Sequence, residues 1–269
     1  MRYLITTLCL LLSITAYCQE EFLLGKSANT LDQGGTVISA EYNVFAFENI
    51  RSKRAGLDIT YGLTNRLTMS LRGSLSDFST SSFDLENGSL TAIYQLGRES
   101  DLPKKWTFAP FVQASIIGRS GLIPGDINMD THSSGISGGM IVNRNFEGLV
   151  LSGSVAYAKI NFPRLIEGIL DGRAYIFQLS ANKSLNMAFE KNSYQLSLLG
   201  ELMGQTNNTI SKDDFLVFNE GHYLDILGGL QVTANNKYRV ELAVQTEVFG
   251  NISRFSEGLY HIRLKYLVL

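Results

Sequence analysis

The chain has 269 residues, with 23 Lys and Arg against 25 Asp and Glu, and a formal net charge of −2. That balance leaves no basic footprint for a phosphate backbone, which excludes nucleic acid as a partner. Mean hydropathy is close to neutral at +0.05. A soluble protein and a membrane β-barrel share such a value, because a barrel strand alternates apolar and polar residues and averages them away.

The N-terminus reads as an export signal. Arg2 supplies a positive charge, residues 4–14 form a short apolar stretch, and Ala16 and Cys18 put small residues at −3 and −1 before Gln19. A cleaved signal is therefore expected over residues 1–18. The apolar run is shorter than the roughly 20 residues of a spanning helix. A lipid anchor on Cys18 is the alternative, opposed by the bulky Tyr17 beside it. Cys9 and Cys18 both lie in this segment, so the exported chain would offer no disulfide, zinc–thiolate site or cysteine nucleophile. An N-terminal periplasmic segment is expected over 19–35, followed by the barrel over 36–269.

From there on, period-two alternation dominates. Leu67, Met69, Leu71 and Leu75 oppose Thr68, Ser70, Arg72 and Ser74; Tyr194, Leu196, Leu198 and Leu202 oppose Gln195, Ser197, Glu201 and Gln205. Tyr238, Val240, Leu242, Val244 and Val248 oppose Arg239, Glu241, Gln245 and Glu247; Ile262, Leu264, Tyr266 and Val268 oppose His261, Arg263 and Lys265. About twelve such segments recur, at 36–47, 54–62, 66–77, 88–97, 106–118, 133–143, 148–160, 172–183, 193–205, 221–234, 237–249 and 258–269. The fold class expected is all-β, a single antiparallel transmembrane barrel.

Connection lengths point the same way. The joints at 62–66, 143–147 and 235–237 are short, and those at 119–132, 161–171 and 206–220 are long. Short periplasmic turns alternating with long outer loops belong to an outer-membrane barrel. The joints at 97–105 and 183–192 are longer than that rule prefers. Aromatic residues group at both strand ends: Tyr61, Tyr94, Trp106, Tyr194, Tyr238 and Tyr266 on the periplasmic side, and Phe47, Phe78, Tyr157, Tyr175, Tyr223, Phe249 and Tyr260 on the outer side. Interfacial girdles have this arrangement. A soluble β-sandwich shows similar alternation, but neither an export signal nor alternating loop lengths follow from it.

Parity places Glu41, Asp58, Arg72, Glu201, Asp225, Arg239, Glu241, Glu247, Arg263 and Lys265 on the inner face. Charges of both signs suit either a narrow hydrated pore or an internal salt-bridge network that plugs it. Strong ion selectivity would need a ring of one sign.

The run Tyr61-Gly62-Leu63-Thr64-Asn65-Arg66-Leu67, continued by Met69 and Leu71, resembles the "YGLTDRL" hairpin of several bacterial outer-membrane families. One is the transporter family named for the meta-pathway of phenol degradation. The resemblance spans residues 37–75 and implies passage of small molecules, apolar ones among them. Leu269 departs from the terminal aromatic residue common in such barrels, and the apolar face of the last strand is offset by one from it.

Two constellations suggest chemistry. His132-x-Ser134 is similar to the His-x-Ser pair of outer-membrane phospholipases and lipid A deacylases, in which the imidazole is base to the hydroxyl. Gly135 follows where those families carry Asn, and no third residue orients His132. Asp126-x-Asn128-x-Asp130 spaces three oxygen ligands as a calcium loop would, but Thr131 and Ser137 replace its Gly and Glu. His222 and His261 fall near strand ends without partners at metal-ligand spacing, and Asp213-Asp214 lies in a polar loop. The expected function is a passive channel or transporter for small-molecule solutes in the bacterial outer membrane, with membrane lipid around it and no cofactor except calcium in the alternative. The alternatives are a lipid acyl hydrolase built on His132 and Ser134, and a structural barrel with a closed lumen.

Overall fold

A computed structural model describes residues 25–47, 50–77, 83–96, 106–117, 134–146, 148–161, 171–185, 194–210, 221–251 and 258–268. Twelve strands follow in order: β1 Thr36–Phe47, β2 Ile50–Thr64, β3 Leu67–Ser76, β4 Asp84–Tyr94, β5 Trp106–Ile117 and β6 Gly135–Phe146, then β7 Leu149–Asn161, β8 Asp171–Leu185, β9 Tyr194–Ile210, β10 Gly221–Ala234, β11 Tyr238–Gly250 and β12 Gly258–Val268. Each pairs antiparallel with its sequence neighbours, and β1 pairs with β12 from Thr36↔Val268 to Ala46↔Gly258, closing the sheet. Closure excludes the sandwich.

Alternation dictates the two faces. Along β11, Arg239, Glu241, Ala243 and Gln245 are buried while Tyr238, Val240, Leu242 and Val244 are exposed. The same holds around the sheet, where Leu71, Val112, Val155, Leu179, Ile226 and Leu264 point outward and exposed. The buried apolar clusters are small: Ala28, Ala109, Phe111 and Ile141 form one, Leu227 and Ala243 another. A protein with its polar residues inside and its apolar ones outside is solvated by lipid, and in lipid only a closed sheet satisfies every backbone group.

The six periplasmic-side aromatic residues Tyr61, Tyr94, Trp106, Tyr194, Tyr238 and Tyr266 are all exposed, as are Tyr157, Tyr175, Phe249 and Tyr260 at the other end. Tyr223 is a correction. Its side chain is 2% exposed and points inward, donating its hydroxyl to Gln205 Oε1 at 3.0 Å. A phenol with a polar partner inside has no need of the interface. Phe78 and the side chain of Phe47 lie outside the described residues.

Strand β9 runs on to Ile210 rather than 205, β2 begins at Ile50 rather than 54, and β4 begins at Asp84 rather than 88. At β4 a bulge breaks the pattern. Ser74 pairs with Asn87 and Leu75 with Leu85, leaving Glu86 as an extra residue that breaks the alternation. A tight turn joins β10 to β11: Asn235 and Asn236 have φ of 52° and 55°, and Lys237 N–H donates to Ala234 O at 3.1 Å. This is the left-handed pair that matches strand twist in a hairpin. The last strand keeps its offset, with Tyr260, Ile262, Leu264 and Tyr266 outward and His261, Arg263 and Lys265 inward. Leu269 lies outside the described residues.

Candidate functional site: the barrel interior

The strands β11, β12 and β1 to β4 line one side of the interior with charge. Glu241 is wholly buried and serves three cations: it accepts from Arg263 Nε, and Lys265 Nζ and Arg239 Nη1 stand 3.7 and 4.0 Å from its carboxylate. Glu41 accepts from Arg72 Nη2, two strands away. It reaches there across Gly56, where an added Cβ would come within 2.7 Å of the carboxylate. Asp58 accepts from Thr60 Oγ1 at 2.8 Å and from Ser70. A bidentate pair joins Arg54 to Glu86 at 2.5 and 2.6 Å, with the guanidinium 4.5 Å from the ring of Phe45. Such forks fix geometry as well as charge.

Further round, Asp225 accepts from Gln245 Nε2 at 2.6 Å, and Glu201 from Gln178 Nε2 at 3.0 Å and Ser180 Oγ at 3.4 Å. Glu247 is partly buried near the outer end of β11. His261, the fourth residue of β12, points inside as the alternation of that strand puts it, its Nδ1 2.9 Å from Asn43 Oδ1 and its Nε2 3.0 Å from Gln245 Oε1.

The second feature is a strap. Residues 25–35, part of the segment expected at the periplasmic side, enter the barrel from that end and run up its inner wall. Gly34 N–H donates to Gly62 O and Gly62 N–H to Gly35 O, both at 2.9 Å. Leu31 N–H then meets Thr68 Oγ1 at 2.8 Å, and Thr30 Oγ1 meets Gln95 Oε1 at 2.8 Å. Farther in, Ser27 Oγ accepts from Asn143 Nδ2 at 2.9 Å and Lys26 O from Ser152 Oγ at 3.3 Å. Lys26 Nζ sits 5.0 Å over the ring of Phe111. Gly25 N–H finally donates to Glu201 Oε2 at 2.9 Å. Ala28 is 0% exposed, packed on Ala109, Phe111 and Ile141. Small residues at 25, 27 and 28 let a chain lie this close to the wall.

The charge network and the strap both occupy the interior. Inward residues that keep part of their surface open include Glu41, Asp58, Ser70 and Arg72 on β1 to β3, Ile176 and Met203 on β8 and β9, and others on β4, β7, β11 and β12 such as Ile93, Ser154, Glu247 and Leu259. In a ring of twelve strands β1 to β3 stand opposite β7 to β9. The first group carries charge; Ile176 and Met203 are apolar.

Parity had singled out every member of the Glu41–Arg72 and Glu241–Arg263–Lys265 groups. It missed Arg54, which shares the face of Asp58 and was there to be found. Glu86 it could not find, because the bulge turns it inward. His132, Asp126, Asn128, Asp130 and Asp213-Asp214 lie outside the described residues, and Ser134 directly precedes β6. His222 is exposed and packs edge-on against Phe249 at 5.8 Å. Among the described residues no group of three His, Cys, Asp or Glu side chains is placed to hold a metal.

Solved structures share this architecture. An outer-membrane channel from Pseudomonas putida F1 superposes with a TM-score of 0.61 at 12% identity, over 91% of this chain and 99% of that one. The fold is that of an outer-membrane barrel. The NanC porin matches at 0.52 and 10% identity over 86% of this chain and 98% of its own. The β-domain of the Bordetella autotransporter BrkA matches at 0.52 and 9% over 87% and 99%. At these identities the likeness is one of fold. No family model and no curated protein matches the sequence.

Proposed function

We propose that the protein is a passive channel for small molecules in the bacterial outer membrane, narrowed by its own N-terminal strap. The observation that carries this is a closed sheet, apolar outside and polar inside, with inward residues around it that keep part of their surface open. Two of the solved barrels it resembles are named a channel and a porin. The partly open inward Ile176 and Met203, and the hairpin at 61–67 that resembles the phenol meta-pathway transporters, favour solutes that are small and partly apolar. The inner-face charges are structural partners first, and Glu41, Asp58 and Arg72 are the ones a solute would meet. No observation favours the acyl-hydrolase reading, since His132 lies outside the described residues.

Single-channel recording in a planar bilayer tests this. The mature chain is expected to give small discrete steps, and deletion of residues 25–31 to raise the step size roughly twofold or more, because a twelve-stranded barrel is wider than its side chains alone can fill. Silence from both proteins, each shown to be folded by its mobility on an unheated gel, would overturn the channel and leave a barrel with a closed lumen.

A further inference from the structure

Three outward residues at the periplasmic end of β5 and β6 form a stack. Trp106 is directly opposite Arg144 in register, and Phe146 follows two residues later on the same face. The guanidinium carbon of Arg144 lies 4.7 Å from the centre of the Trp106 ring and 4.6 Å from that of Phe146. Trp106 is itself stacked on Phe108, with ring centroids 6.4 Å apart. Such rings attract a guanidinium through its faces and give its N–H groups no acceptor. Arg144 Nε is buried without a hydrogen-bond partner, and no carboxylate among the described residues pairs with the group.

A second cation borders the stack. Lys183 on β8 is exposed on the same outer face, and its ammonium lies at the β6–β7 turn, 3.7 Å from where a Cβ on Gly148 would stand. Leu149 lies between the two sides, opposite Phe146 on β6 and opposite Lys183 on β8. Lys183 too has no acidic partner among the described residues. Donors without acceptors are costly at the edge of hydrocarbon, where water thins out. A phosphate answers that cost: the guanidinium fork matches two of its oxygens, and the ammonium adds a point charge. Trp106 marks headgroup depth, and Leu151 and Met140 offer exposed apolar surface farther into the bilayer for an acyl chain.

We propose that Arg144, held between Trp106 and Phe146 and flanked by Lys183, binds the phosphate of a glycerophospholipid at the periplasmic end of the barrel. The proposal rests on the barrel spanning a membrane and not on its being an open channel. The test uses the mature barrel in neutral detergent and native mass spectrometry with phosphatidylglycerol and with diacylglycerol of the same acyl chains. Wild type should retain the phospholipid at least about 10-fold more tightly, the worth of one charge-assisted hydrogen bond. Arg144→Gln should remove most of that preference, and Arg144→Lys should restore only part of it, because an ammonium lacks the fork. Lys237→Gln, which removes an exposed cation at the same end but outside the stack, should leave the preference unchanged. Equal retention of the two lipids by wild type overturns the proposal and needs no variant to fold. A preference that survives in Arg144→Gln, or falls as far in Lys237→Gln, overturns it as well and marks diffuse attraction to a basic rim. Displacement of the lipid by millimolar inorganic phosphate would overturn it too, marking a site for free anions. Glu147 follows Phe146 in the sequence and lies outside the described residues; a preference that appears only in Glu147→Gln would assign Arg144 to that carboxylate and overturn the lipid. Gel mobility and conductance of the same preparations report separately on the barrel and the channel.

Discussion

Glu241 is the side chain on which the charged wall turns. One buried carboxylate holds Arg263, Lys265 and Arg239 within 4.0 Å or less. Removing one member of such a group leaves the others as buried charge without their counter-ion, which is strongly destabilising. Glu241→Gln is therefore expected to lower stability by about 3–5 kcal/mol in urea unfolding from micelles, and a change under 1 kcal/mol would mean that water already screens the cluster. Much at this scale was legible in the sequence. Strict alternation through 238–248 placed Arg239, Glu241, Gln245 and Glu247 on one face, and the structure has them there. Glu86 was illegible because its position depends on an extra residue in the pairing of β3 with β4, which no alternation records. Tyr223 was misplaced for a related reason: an aromatic residue at a strand end fits the girdle equally well until its hydroxyl finds Gln205.

Among the elements, the β10–β11 turn shows local chemistry deciding a connection. Both asparagines take positive φ, a conformation that side chains branched at Cβ resist. Asn236→Val is expected to cost about 1–2 kcal/mol, while Asn236→Gly should hold or raise stability; paired urea midpoints would show it, and equal midpoints for the two would mean the turn is not what sets this register. Here the sequence was explicit, since two Asn residues sit between two alternating runs. The strap was not explicit. Residues 25–35 have no period, and a run of Gly, Ser, Ala, Asn and Thr reads as solvated chain. Its conformation is set by partners scattered from Gly62 to Glu201, and those become neighbours only once the sheet has closed.

For the whole molecule, the inside-out distribution of polarity defines the medium. Leu242 lies near the middle of β11 and is 50% exposed on the outer face. Leu242→Arg is expected to cost about 2–4 kcal/mol in lipid vesicles, the depth-dependent penalty of a cation facing hydrocarbon. Little effect would argue that this face meets water. Closure itself followed from strand number and loop alternation, but the strap inside it did not. The strap has a consequence for the order of assembly. From Leu31 back to Gly25 its contacts bridge sequence separations of 37, 65, 116, 126 and finally 176 residues. Closing the last instead of the first would by itself cost only about 1.4 kcal/mol more in chain entropy. The order is still set, because each contact shortens the free chain before the next. The strap therefore zips inward from the Gly34–Gly62 pair and frays outward from Gly25, so the earliest-synthesised of these residues is the last to settle and the first to let go.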